Sequence, residues 1–185
     1  MNQTLSSSAL VIHDLGLATA FGGTLFGKLA LDPAAKVLSD PKERGQIVST
    51  AWGAYNLVNL VALGASAVTW LVGRSLLTGR EAGRVARPLV VAKDILVGTA
   101  FAAGIGNMVA GALFARQAPA ARVPIETGMT RHPTTPPRAA SLQKATTMLG
   151  FVQGLASAGV IGITALLNFR AGKSRRWSRI ARALP

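Results

Sequence analysis

Residues able to do acid–base or ligand chemistry are scarce in this 185-residue chain and concentrate in a few places. His13 and Asp14 stand side by side near the N-terminus, Lys93 and Asp94 stand side by side at mid-chain, and each pair precedes an uncharged apolar run. A histidine held by a carboxylate keeps one tautomer and can pass a proton, as in proton relays and metal second shells. Three asparagines, Asn56, Asn59 and Asn107, with Gln153, form a second polar set inside the apolar runs. Amides there either tie helices together or line a path for a polar solute or ion. The chain contains no cysteine, which removes disulfides and thiolate metal sites. It also lacks the phosphate-binding GxxxxGK[ST] loop, HExxH and GxSxG. One imidazole with scattered carboxylates under-supplies a divalent metal, and the second histidine needed for haem, His132, sits among prolines. The expectation is a protein with no catalytic residue, no metal site and no cofactor, and not an enzyme.

The elements that must hold these groups are apolar. Half the residues are hydrophobic and only 15% are charged, against about a quarter in soluble domains. A bilayer core about 30 Å thick needs roughly 20 apolar residues as a helix. Thr50 to Gly73, Ile95 to Ala115 and Ala145 to Phe169 contain no charged residue. A fourth segment starts near Ser8, but its uncharged stretch from Leu15 to Gly27 is short, so the span takes in His13 and Asp14, Lys28, or both ends. The expectation is an all-α integral membrane bundle of four transmembrane helices over residues 1–169, with spans of about 8–31, 50–73, 90–115 and 143–169. The first is read as a retained helix, because residues 1–8 lack the positive region of a signal peptide.

Four spans put both termini on one side. That side carries Arg74, Arg80, Arg84 and Arg87 in a tight connection and six basic residues in the tail, residues 170–185. The density of positive charge favours cytoplasmic termini in a bacterial inner membrane. Within the tail, Trp177, Ile180 and Leu184 recur at helical spacing among Arg175, Arg176, Arg179 and Arg182. This pattern suits a helix lying on anionic lipid headgroups, with a solvated topogenic tail as the plainer reading. The chain's formal charge of +13 comes with no stacking platform or recognised fold for nucleic acid, so no nucleic-acid partner is expected. Residues 116–141 hold five prolines and read as an extended connection, either a packing strap or disordered, with a binding loop as the sharper alternative.

Small residues decide which helices approach in lipid. The third span has Gly98, Ala102, Gly106 and Ala110 at four-residue spacing, and the fourth has Gly150, Gly154, Ala158 and Gly162. The first adds Gly16, Ala20, Gly23 and Gly27. Packing within the chain is the plain reading. Rows on three helices exceed one pairing and point to a homo-oligomer or a larger membrane complex. His13 shares the small-residue face of the first helix and should point inward, toward Asp94 at similar depth, while Asp14 reaches the headgroups. The plainer account is a charge cluster that fixes helix register. Trp52, Tyr55 and Trp70 read as interface anchors.

The run His13-Asp14-Leu15-Gly16-Leu17-Ala18 followed by Phe21-Gly22-Gly23 resembles the opening of an uncharacterised bacterial four-helix integral membrane protein family. Trp52-Gly53-x-Tyr55-Asn56-Leu57-Val58-Asn59 and Val123-Pro124-Ile125-Glu126-Thr127-Gly128, leading to Thr135-Pro136, extend the likeness. Gly27-Lys28-Leu29 gives a weaker likeness to DoxX-type small membrane proteins. Neither resemblance implies an activity, though the first implies that the Pro124–Pro136 segment is more than slack. The function expected is a non-catalytic accessory or structural subunit packing against partner helices and anionic lipid. A small proton-coupled transporter or channel using the intramembrane His, Asp and Asn groups is the alternative.

Overall fold

A computed structural model describes residues 3–77 and 87–183, and the side chains of residues 8–73, 87–167 and 169. Four long helices dominate it: α1 (Gln3–Phe26), α2 (Pro41–Leu77), α3 (Arg87–Ala115) and α4 (Pro137–Ala183). Four helical segments, Ser8–Val37, Pro41–Gly73, Arg87–Ala115 and Pro137–Leu167, are long and apolar enough to cross a membrane. This is an all-helical, multi-pass membrane protein. Among the described residues no strand forms, and a single isolated bridge joins Ile125 to Arg131. Large apolar side chains such as Leu57, Val61, Ile95 and Leu155 face outward, as expected where lipid is the solvent.

Successive helices run in opposite directions and close a ring, α1 against α2, α2 against α3, α3 against α4, and α4 back against α1, with α3–α4 the most extensive interface. One end of the bundle holds the starts of α1 and α3, and the other holds the connections 27–40 and 116–136. Gly16 sits against Ala62 and Ser66, Gly23 against the Tyr55 ring and Gly27 against the Trp52 indole, so a Cβ at any of the three would collide with α2. The glycine row of α1 is therefore the seam that brings α2 close.

The rows on α3 and α4 behave differently. Each four-residue step advances about 40° around a helix of 3.6 residues per turn, so three steps turn through about 120°. On α3 the row starts outside, with Gly98 and Ala102 exposed, and ends inside, with Gly106 against Leu149 and Ala110 buried. On α4 it runs the other way. Gly150 is buried beside Lys28 and Asn107, Gly154 meets Thr24, and Gly162 faces open space.

Two departures from regular helix shape the loop end. Past Phe26 the chain widens into a π turn, Gly27–Leu31, in which the Asp32 amide donates to Gly27 O. Pro33 follows at once; it has no N–H to donate and its ring crowds the carbonyl four residues back, which a wider turn relieves. The 116–141 connection is a folded strap. Val123 and Ile125 are fully buried, and the Ile125 amide donates to Pro41 O at 3.1 Å. Arg44 pairs with Glu126 at 3.0 Å and Arg122 with Asp40 at 3.3 Å. Gln143 Nε2 donates to Thr127 O at 2.8 Å, fastening the strap to α4. Val123, Ile125, Val48, Phe114 and Ala139 make a small apolar core beneath it.

Candidate functional site: polar groups at the two ends of the bundle

At the terminal end, His13 is buried and Asp14 is exposed. His13 does not meet Asp94. Its Nδ1 lies 2.8 Å from Ser66 O, and Ser66 Oγ donates back to His13 O at 3.0 Å, a reciprocal clasp between α1 and α2. The reason is Trp70, which turns inward from α2 and occupies the space between them. Its indole N–H donates to Asp94 Oδ1 at 2.9 Å, and its ring lies 6.3 Å from that of His13. Lys93 is buried with Nζ 3.9 Å from the Trp70 ring centroid. Sequence spacing placed the four residues at one depth; the bulk of Trp70 decides who touches whom. Leu17, Val97 and Val160 pack around this tryptophan.

Midway along the bundle the amides form a closed knot. Asn59 Nδ2 donates to Gln153 Oε1 at 3.1 Å and Gln153 Nε2 donates to Asn59 Oδ1 at 2.9 Å. Gln153 Nε2 also reaches Thr24 Oγ1 at 3.3 Å. The Tyr55 hydroxyl donates to the backbone carbonyls of Thr19 at 2.8 Å and Ala20 at 3.1 Å. Trp70 and Tyr55 thus tie helices together. Around the knot, Ala20, Leu63, Ala100 and Ala156 form an apolar layer.

Asn56 parts from Asn59. Three residues apart is a turn of about 60° between side chains, enough to send Asn56 into a cavity of about 190 Å³ at the strap end, which Asn107 also lines. Lys28, Ser49, Trp52 and Gln143 complete its polar wall. Lys28 reaches in from the π turn and lies 5.7 Å and 5.8 Å from the ring centroids of Trp52 and Phe151. Its ion partner is Asp32, at 3.9 Å and fully buried, whose Oδ1 accepts from Trp52 Nε1 at 3.3 Å. Gly128 of the strap presses on the same carboxylate closely enough that no Cβ would fit.

No family model, curated protein or solved structure matches this chain.

Among the described residues no three His, Cys, Asp or Glu side chains come together as a metal-binding group. The tail side chains of Arg175, Arg176, Trp177, Arg179 and Arg182, and residues Arg80 and Arg84, lie outside the described set. Lys28, Asp32 and Trp52 were not singled out by sequence as a site. The available signal was Lys28 and Asp32 four residues apart at the ragged end of the first apolar run, with Pro33 directly after.

Proposed function

We propose that this chain is a non-catalytic subunit of a larger bacterial inner-membrane assembly, with its termini in the cytoplasm. The observation that carries this reading is the outer stripe of α3. Val91, Ile95, Gly98, Ala102, Ile105 and Val109 follow at alternating four- and three-residue steps and are all exposed. A Cβ on Gly98 would touch nothing within the chain. Glycine in a helix costs about 1 kcal/mol relative to alanine, and in lipid it compensates only where another backbone comes close. Two small residues four apart, flanked by β-branched side chains, is the pattern by which membrane helices pair.

The interior supports a static role. The reciprocal amide pair of Asn59 and Gln153 uses its groups on each other, within an apolar layer. Lipid contact by the basic tail adds a second attachment, through roughly 1 kcal/mol per basic residue near an anionic surface.

Chemical cross-linking in native membranes, followed by gentle detergent extraction, tests the reading. The chain should run with a second copy or a stoichiometric partner, and Gly98→Leu should release it without changing thermal stability. A chain that runs alone before and after that substitution contradicts the proposal. The transport alternative is favoured by two buried polar atoms without hydrogen-bond partners, His13 Nε2 and Ser157 Oγ. It requires proton or solute flux in reconstituted vesicles that His13→Ala and Asp94→Asn abolish.

A further inference from the structure

The strap-end cavity is built for an occupant that both donates and accepts hydrogen bonds. Gln143 is buried, its Nε2 is committed to Thr127 O, and its Oε1 has no partner. Asn56 is buried and its Oδ1 is likewise unpartnered. Both line the cavity. A buried polar atom left in this state has lost its hydration with no bond in exchange, so donors are missing from the space between them. Lys28 makes the complementary demand. Its ammonium has no acceptor within hydrogen-bonding distance among the described residues, since Asp32 lies at 3.9 Å.

The way in is from the side. Gly53 of α2 and Ala112 of α3 line the cavity and are also exposed on the outside of the bundle, so the mouth opens between these helices. Ile125 and Gly128 of the strap wall off the loop end. Below the mouth, Leu57 and Val109 extend an exposed apolar surface.

We propose that this cavity holds the head of a phosphoglycerol lipid, with its phosphate on Lys28 and its free hydroxyls donating to Gln143 Oε1 and Asn56 Oδ1. The acyl chains leave through the mouth and lie along α2 and α3. An ethanolamine or choline head would bring a second cation into the space that Lys28 already occupies, whereas hydroxyls supply the missing donors without charge. The shared chemistry, a phosphate ester bearing neighbouring hydroxyls, also exists in soluble glycerol phosphate; the side entrance and apolar surface select the lipid. The head-group cavity does not include Gly98 or Ala102 and does not depend on the outer stripe of α3, which the acyl chains meet only at Val109.

Native mass spectrometry of the full chain in mild detergent tests this, using phosphatidylglycerol, phosphatidylethanolamine, phosphatidylcholine and soluble glycerol phosphate as probes. One phosphatidylglycerol should bind with about tenfold preference over phosphatidylcholine, the size of one or two neutral hydrogen bonds that only the glycerol hydroxyls can donate. Lys28→Met should weaken phosphatidylglycerol binding, because the phosphate loses its ammonium partner. Because Lys28→Met leaves Asp32 without its ion partner and can unfold the chain, Gly53→Phe provides the independent variant. A Cβ at Gly53 meets no atom, so this side chain narrows the mouth while the melting temperature stays unchanged, and lipid retention should fall. Equal binding of the three lipids, retention unaltered by Gly53→Phe, or soluble glycerol phosphate binding as tightly as the lipid would each overturn the proposal.

Discussion

The two ends of the bundle use the same three residue types in opposite ways. At the terminal end Trp70 donates to Asp94 and lies under Lys93 at 3.9 Å. At the strap end Trp52 donates to Asp32 and stands 5.7 Å from Lys28. In each, an indole N–H donates to a carboxylate oxygen while a lysine ammonium lies near the same indole ring, a combination that keeps charge tolerable in a low-dielectric setting. The first trio is surrounded by Leu17, Val97 and Val160. The second borders a cavity. The difference arises in the elements that carry the lysines. Lys93 and Asp94 are adjacent on a regular helix, whereas Lys28 lies within a π turn and Asp32 directly after it, ahead of Pro33. The wider turn pushes Lys28 away from its tryptophan and leaves space beside it.

Removing a charge at the strap end should therefore have the largest consequence for stability. Asp32→Ala leaves Lys28 without an ion partner, Trp52 Nε1 without its acceptor and a hole behind Gly128. Thermal or denaturant unfolding in detergent should register a loss of about 3 kcal/mol, as for other buried pairs broken on one side. A change below about 1 kcal/mol would mean that the Lys28–Asp32 pair is already solvated and that the two ends do not differ as described.

The amide knot between the ends should respond less. Gln153→Leu strands Asn59 and removes the bond to Thr24, for an expected cost of about 1–2 kcal/mol, the upper part of the range for membrane hydrogen bonds. Flux assays on the same variant sharpen the comparison, because a path opened between the ends would appear as leak, and a knot that is only a tie would not.

Much of the architecture was legible in the chain. Three uncharged runs of membrane length, and a shorter fourth extended through flanking polar residues, pointed to four helices, and the inward face of His13 followed from its three-residue offset to Gly16. Contacts were harder to read. Four-residue spacing on α3 and α4 looks like one seam on paper, but its 40° drift carries Gly98 and Gly162 to the outside while Gly106 and Gly150 stay within. The partner of His13 was missed because spacing carries no information about bulk, and Trp70 fills the gap to Asp94. The strap-end cavity was missed for a related reason. Its lysine, carboxylate, tryptophan and amides come from three helices and the π turn, and only the fold brings them together.

The absence of native cysteine permits the most direct test of the contrast between an open and a closed end. Ser49→Cys places a thiol in the wall of the strap-end cavity, and Ser157→Cys places one in the fully buried region toward the terminal end. Both are near-isosteric. Treated with a small membrane-permeant thiol reagent in intact vesicles, the Ser49→Cys protein should be labelled and the Ser157→Cys protein protected until the bundle is denatured. Equal labelling at the two positions, or protection at both, would contradict the account.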